Sequence, residues 1–301
     1  MILPAPFELP NSTPAGPLTA AEIAPWKLQV AASDRLTAVR GVNPLTGMDV
    51  SARFLVKSAA DHGDPNSPNP RAEIYQGRNG GSAAAGDAGM IPVGQTFYHV
   101  LVFTPISGNR KTWQNHGQMH GAQSGKQPAW QCKTDYANVL CFQVNSPAGS
   151  KEWRVGPTPW GQTVTLVLKL RVDPTGNGLV GVKMRVGSDP EAPFSVVVPE
   201  WTGAIGFQDT YPKGIIYGDA GGSGFPWETL WHRARYCLAT ESEAMALTTL
   251  NAPIDPGPPP STGPTQAQLD QAIADRDAAR AIALDLKSRI DRMVSIGQTG
   301  A

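Results

Sequence analysis

Within residues 163–187 two segments place an apolar residue at every second position, a period that fits a strand and not a helix. In "TVTLVLKLRVD" the residues Val164, Leu166, Leu168, Leu170 and Val172 fall on one face. "GLVGVKMRVG" does the same with Val180, Val182, Met184 and Val186. "DPTGNG" between them is turn chemistry, so the two segments predict a β-hairpin. "FYHVLVFTPI" is apolar on both faces, as a central strand covered on both sides requires. Glycine (32) and proline (28) make up about a fifth of the 301 residues, against a usual share of roughly 12%. Long helices tolerate that content poorly, and short strands joined by turns tolerate it well. Residues 26–250 therefore predict an all-β domain, a jelly roll or concanavalin-like β-sandwich.

The two ends have a different composition. Residues 1–25 hold six prolines and little periodicity, which predicts an extended arm lying on a surface or on a partner. "NAPIDPGPPPSTGP", residues 251–264, holds six more and predicts a semi-rigid linker. Residues 265–297 then take on a helical period. Thr265 stands at the N-cap position, and Leu269, Ala272, Arg276, Ala279, Ala283, Leu286, Ile290 and Met293 form a heptad seam. Such a helix either self-associates as a coiled coil, with a trimer the first expectation and a dimer next, or docks on its own domain.

Charged residues are 17% of the chain and the formal net charge is zero, so a global electrostatic grip on nucleic acid is not expected. No stretch approaches the roughly 18 apolar residues of a membrane span. "MILPAPFELPNSTPAGPLTA" lacks the basic start and long apolar run of a signal peptide. Cys132, Cys141 and Cys237 are too few for a disulfide scaffold. Cys132 and Cys141 have the spacing to meet across a hairpin, and free buried thiols are the default. Neither a metal-ligand cluster nor a cofactor motif stands out. The row Lys169, Arg171, Lys183 and Arg185 on the polar face of the hairpin reads as a solvated face or as an attraction for anionic glycans.

Three short segments combine polar and aromatic residues on one strand face. In "PRAEIYQG" Arg71, Glu73 and Tyr75 point one way. In "WQNHGQMHG" strict alternation groups Gln114, His116, Gln118 and His120, and in "YPKGIIYGD" it groups Tyr211, Lys213 and Tyr217. A solvated face usually carries Ser, Thr and Glu. These carry Arg, His, Gln, Lys and Tyr.

"RAEI", "QMH" and "YPKGIIY" resemble, in order, the three strand motifs of the alginate-lyase-type polysaccharide lyases, family seven and its jelly-roll relatives. Those motifs read Arg-x-Glu-Leu, Gln-Ile-His and Tyr-Phe-Lys-x-Gly-x-Tyr. The resemblance spans roughly residues 50 to 240. It departs from the family where glycine directly follows Lys213, where Tyr75 stands for a common arginine, and where Gly218 and Asp219 stand for a terminal glutamine.

What the resemblance implies is β-elimination on a uronic-acid polymer without cofactor or metal. Removing the proton on carbon five builds charge on the neighbouring carboxylate, which fixed donors must neutralise. Arg71 and Gln118 are implied for that task. His120 and Tyr217 are implied as base and acid, in either order, with Arg71 and Lys213 stabilising a phenolate and Glu73 orienting Arg71. Lys213, Glu73, Tyr211, His116 and Tyr75 complete the expected substrate contacts. A glycan-cutting domain with a proline-rich arm and a self-associating tail also resembles a bacteriophage tail or virion component. The expected partners are thus an anionic polysaccharide, further copies of the chain through the tail and other virion proteins through the arm, and the expected location is the virion or the extracellular space. The alternative is a non-catalytic carbohydrate-binding or structural module on the same fold. A glycoside hydrolase ranks last, because hydrolysis needs two carboxyl groups flanking the bond.

The tail gives a direct test. Deleting residues 265–301 is expected to turn an oligomer into a folded monomer by light scattering; an unchanged mass would mean that the helix does not assemble the chain.

Overall fold

The computed structural model describes residues 3–62, 68–76, 89–108, 112–121, 127–189, 191–219 and 221–250. The linker at 251–264 and the helix at 265–297, with the self-association read from its seam, lie outside the described residues. In chain order the strands are β1 (Gly16–Pro17), β2 (Lys27–Val30), β3 (Leu36–Arg40), β4 (Val50–Val56) and β5 (Arg71–Tyr75). There follow β6 (Thr96–Ser107), β7 (Gln114–Gly121), β8 (Pro128–Thr134), β9 (Val139–Ser146) and β10 (Gly149–Pro157). The last are β11 (Val164–Arg171), β12 (Asp173–Val186), β13 (Ser195–Ile205), β14 (Thr210–Gly218) and β15 (Trp227–Leu238). A short helix, α1 (Glu241–Ala246), closes the described chain behind a Thr240/Glu243 capping box. Among the described residues no helix is long and apolar enough to cross a membrane.

The strands form two antiparallel sheets packed face to face, a concanavalin-like β-sandwich. One sheet has the order β1-β3-β4-β15-β6-β11-β12-β13 and the other β10-β9-β8-β7-β14-β5-β2. The alternating hairpin at 164–186 is β11 paired with β12, from Val164 opposite Val186 to Arg171 opposite Leu179. Its apolar face, with Leu166, Leu168 and Val180, lies in the inter-sheet core. The doubly apolar segment is β6, in the middle of the eight-stranded sheet. Leu101 and Phe103 face the core, while Val100 and Val102 are covered on the other side by Leu45, Ala244 and Leu250.

The basic row of the hairpin lies on the outer face of this sheet and is largely spent on local partners. Lys169 pairs with Glu200 at 2.6 Å, and Lys183 pairs with Glu241. Arg185 lies 4.8 Å from the Phe194 ring centroid and donates to the Thr248 carbonyl. All three cysteines are free and buried. Cys132 is opposite Phe142, and Cys141 is opposite Lys133. The two thiols therefore point to opposite faces of their sheet, and a bridge between them is excluded.

Where the sequence reading has an extended arm lying on a surface or on a partner, the first 25 residues lie on the sandwich of their own chain and enter its core. Phe7 exchanges both backbone hydrogen bonds with Ala234, at 2.8 and 2.9 Å. Its ring lies edge-on to Trp26 and Trp231, and Leu9, Leu18 and Ile23 join the same core. Glu8 pairs with Arg233 and Arg235. Gln76 holds Ala5 through both its amide oxygen and its amide nitrogen, at 2.8 and 2.7 Å. Prolines at 4, 6 and 10 strip donors from this stretch, so it pairs as a single bridge and not as a full strand. Its apolar residues still seal one side of the sandwich.

Phe7→Ala is accordingly expected to lower stability by about 3 kcal/mol, as for other large-to-small core changes. Urea denaturation reads this, and an unchanged midpoint would mean that the segment only lies on the surface.

Candidate functional site

Strands β5, β14 and β7 are neighbours, so the three segments singled out in the sequence meet on one sheet. Strand β14 is opposite β5 from Lys213/Tyr75 to Tyr217/Arg71. On its other side Tyr211 is opposite His120, Lys213 opposite Gln118, and Tyr217 opposite Asn115. Residues opposite one another in an antiparallel pair share a face. Ala72, Ile74, Met119 and Ile216 point into the core, which sends their alternates outward. There Arg71, Glu73, Gln118, His120, Lys213 and Tyr217 line one groove of about 500 Å³.

The alternation breaks once, in β7. The pairing with β14 shifts between Gly214 and Tyr217, and that with β8 shifts between Asn115 and Gly117. His116 and Gly117 both turn inward at this bulge, and everything before them changes face. His116, expected to touch substrate, is fully buried between the sheets and stacks on Phe103 at 5.7 Å. Its ring nitrogens meet the Thr229 and Thr134 hydroxyls at 3.2 and 2.8 Å. Gln114, grouped with it by strict alternation, is likewise fully buried and does not line the groove. Asn115 takes their place in the groove. Its amide nitrogen donates to Gln118 Oε1 at 3.0 Å, which leaves the Gln118 NH₂ as the end that can donate to a ligand.

Two further expected contacts are also corrected. Tyr211 is on the groove side of β14 by register but is fully buried, packed with Met90 and with the Tyr75 ring at 6.4 Å. Burial pushes its phenol well above the usual range, with Glu73 adding to the effect. Tyr75 is half-buried, with Lys27 and Lys213 within 6 Å of its ring. The segment carrying Met90 and Ile91 is tied to Thr210 by a backbone hydrogen bond, Tyr211 packs on the His120 ring at 6.0 Å, and neither tyrosine is among the groove lining.

The electrostatic centre is a buried trio. Glu73, only 1% exposed, accepts from Lys213 at 3.0 Å and lies 3.6 Å from Arg71. The Arg71 guanidinium also lies 4.5 Å from the Tyr217 ring centroid. The Tyr217 hydroxyl accepts from the Asn69 amide at 2.7 Å, and Trp113 meets its ring edge-on at 5.1 Å. His120 is pushed down to about 4, first by burial and then by the Lys213 cation, so the imidazole is neutral at pH 7. Its Nδ1 is 2.6 Å from the Gly121 carbonyl. A carbonyl only accepts, so the ring proton belongs on Nδ1 and Nε2 keeps a free lone pair.

Along β7, Asn115, Gln118 and His120 succeed one another on the groove face. Tyr217, opposite Asn115, and His120 therefore stand on either side of the row that contains Lys213 and Gln118. A ligand lying over that row meets a phenol on one flank and an imidazole on the other. Among the described residues no group of three or more His, Cys, Asp or Glu side chains is placed to hold a metal ion.

The groove also includes Asn69, Gln131, Lys133 and Gln143, which the sequence reading did not select. Strand β8 carries Gln131 and Lys133 at alternate positions, and β9 carries Gln143. That alternation was the available signal. It is masked by the large apolar alternates Trp130 and Phe142.

No protein-family model and no curated protein matches the sequence. Solved structures of similar architecture include the endo-β-1,4-glucuronan lyase of the fungus Trichoderma reesei, with 11% identity, 72% of this chain and 92% of that one covered, and a TM-score of 0.47. An alginate lyase of polysaccharide lyase family 7 has 13% identity, covers 71% and 95%, and scores 0.43. The catalytic domain of a glycoside hydrolase family 131 protein from Coprinopsis cinerea has 10% identity, covers 72% and 86%, and scores 0.49. Lyases and a hydrolase stand at similar distance, so this likeness concerns architecture and does not select a chemistry.

The buried histidines generate a pH prediction. His116 and His232 are both pushed down to about 3 by burial, and their ring nitrogens meet the hydroxyls of Thr229, Thr134, Ser51 and Thr104. The folded state holds them neutral, whereas the unfolded chain takes up protons below about 6.5. Their contribution is present above pH 6.5 and is lost as the pH falls toward 3. Denaturation midpoints should decline over that window, and the decline should flatten in His116→Asn. A midpoint that does not change between pH 7 and 4 would contradict the burial of these rings.

Proposed function

We propose that the protein is a polysaccharide lyase that cleaves a uronic-acid polymer by β-elimination. The observation that carries this reading is the set of Arg71, Gln118, His120, Lys213 and Tyr217 on a single groove, combined with the motif resemblance of their three strands. The substrate carboxylate is placed against Arg71, Lys213 and the Gln118 NH₂, which neutralise the charge that grows on it as the neighbouring carbon loses its proton. His120 Nε2, unprotonated, accepts that proton. The electron pair left behind forms the double bond between carbons four and five, and the bond from carbon four to the bridging oxygen breaks. Tyr217 donates its hydroxyl proton to the departing oxygen. Because its oxygen already accepts from Asn69, the O–H is left to point elsewhere, toward the groove.

Hydrolysis fits the same groove less well. Among the described residues lining it, Glu73 is the single carboxylate, and it is held by Lys213 and approached by Arg71. Hydrolases of the usual kind need two carboxyl groups flanking the bond, one to protonate the leaving group and one to attack or activate water.

Digestion of a panel of polyuronates is expected to yield unsaturated ends that absorb in the ultraviolet. Tyr217→Phe should bind as before but turn over about a hundredfold more slowly, as for a lost general acid. Arg71→Ala should harm binding and turnover together, and Gln118→Ala should be milder because a neutral donor contributes less than a charged one. Full activity in Tyr217→Phe would remove it from the mechanism. Binding of every polyuronate tested without unsaturated ends would leave a glycan-binding module, and saturated reducing ends would indicate hydrolysis.

A further inference from the structure

We propose that Gln131, Lys133 and Gln143 form a second station of the groove, which takes the carboxylate of a uronate beyond the sugar being cleaved. The proposal rests on the lyase reading and narrows its substrate to runs of consecutive uronates. The observation behind it is the register. Lys213, Gln118, Gln131 and Gln143 stand directly opposite one another on four successive strands, β14, β7, β8 and β9. A second row alongside runs from Arg71 through Tyr217 and Asn115 to Lys133. All eight side chains line the groove.

Neighbouring strands are about 4.8 Å apart, so each row advances across the sheet by a step close to one sugar of an extended pyranose chain. A polymer lying along the rows therefore crosses the strands. With one uronate held by Arg71, Lys213 and Gln118, the sugars that follow it toward β9 reach Gln131, Lys133 and Gln143.

Lys133 is prepared for a carboxylate. Its ammonium donates to Gln143 Oε1 at 2.5 Å and pairs with Glu152 at 2.7 Å, which leaves the third N–H of the group for a ligand. Gln131 Nε2 donates to the same Gln143 oxygen at 2.7 Å, and Gln143 Nε2 donates to Asn145 Oδ1 at 2.8 Å. The amide network fixes the cation at the wall of the groove. Glu152 is 35% exposed, so its hold on Lys133 is weakened by solvent and a substrate carboxylate can share or replace it.

The test separates this station from the cleavage reaction. Tyr217→Phe protein is titrated calorimetrically with dimers and tetramers of glucuronate and of mannuronate, while wild-type protein is assayed for unsaturated ends on the corresponding polymers. The tetramer is expected to bind about tenfold more tightly than the dimer, the size of one charge-assisted contact. Adding Lys133→Ala or Gln143→Ala should abolish that gain. Gln143→Ala, on the outer side of the network, carries the test where Lys133→Ala does not fold. Equal binding of dimer and tetramer overturns the proposal, and so does a gain that survives both substitutions. Cleavage without a length-dependent gain keeps the lyase reading and rejects the station, while a Lys133-dependent gain without cleavage keeps the station and rejects the lyase. Failure of every oligomer to bind rejects both.

Discussion

The site depends on a contact made on the opposite face of its sheet. Gly117 and Gly214 stand opposite each other in β7 and β14, and Trp231 from the other sheet lies against both. A Cβ on Gly214 would come within 2.8 Å of Ile74 and 3.2 Å of Trp231, and one on Gly117 within 3.3 Å of Leu101 and 3.4 Å of Trp231. The indole nitrogen donates to the His116 carbonyl at 2.9 Å, so it also satisfies a backbone acceptor at the bulge. The pair of glycines must therefore face inward, and strand alternation does the rest. Gln118 and Lys213, one residue further along on opposite strands, must face outward. A one-residue slip would put the buried Lys213 cation and the Gln118 amide into the core and Trp231 against side chains, so the register is strongly specified.

Burial then sets the electrostatics. Arg71, Glu73 and Lys213 are all nearly inaccessible, and a carboxylate in such a place is tolerated only with partners. One carboxylate shared by two cations leaves the trio with a single positive charge on the groove side. Burial first, and the Lys213 cation after it, keep His120 unprotonated. On the proposed reading, a substrate carboxylate meets donors already in place. Lys213 thus acts twice, as a donor on the groove and as the second cause, after burial, of the neutral imidazole.

Much of this was legible in residue order, and the failures have identifiable causes. The 164–186 hairpin was readable because its period is unbroken. The central position of β6 was readable because only a strand covered on both sides is apolar at every position from Val100 to Phe103. The groove faces of β5 and β14 followed from alternation alone. In β7 the same rule failed at His116, because a bulge moves the phase by one residue; the glycine beside it was the available warning. Tyr211 and Tyr75 were assigned to the correct face and still missed the groove, since a period of two does not say what another segment lays on top. The segment before residue 26 was misread because its prolines, which rule out a long strand, rule out neither the two-residue β1 nor a single bridge carrying a buried phenylalanine. The helical seam at 265–297 lies outside the described residues, and the virion setting inferred from it remains a reading of the sequence.

The two sheets divide the requirements of the site between them. The eight-stranded sheet, covered on its outer face around β6, contributes Trp231, Phe103 and Thr229, which fix the inward half of β7. The seven-stranded sheet has one face in that core and one in the groove. Its functional side chains thus project from strands that are already immobilised from behind, the arrangement that holds reactive groups most accurately. Elimination gains more from this than hydrolysis would. It needs neither an attacking water nor a second carboxylate, only a carboxylate-binding cluster that does not reorganise and two proton-transfer groups on opposite flanks. Within the groove, burial has been used to fix cations and to strip a proton from an imidazole, and Glu73 is spent in holding those cations together.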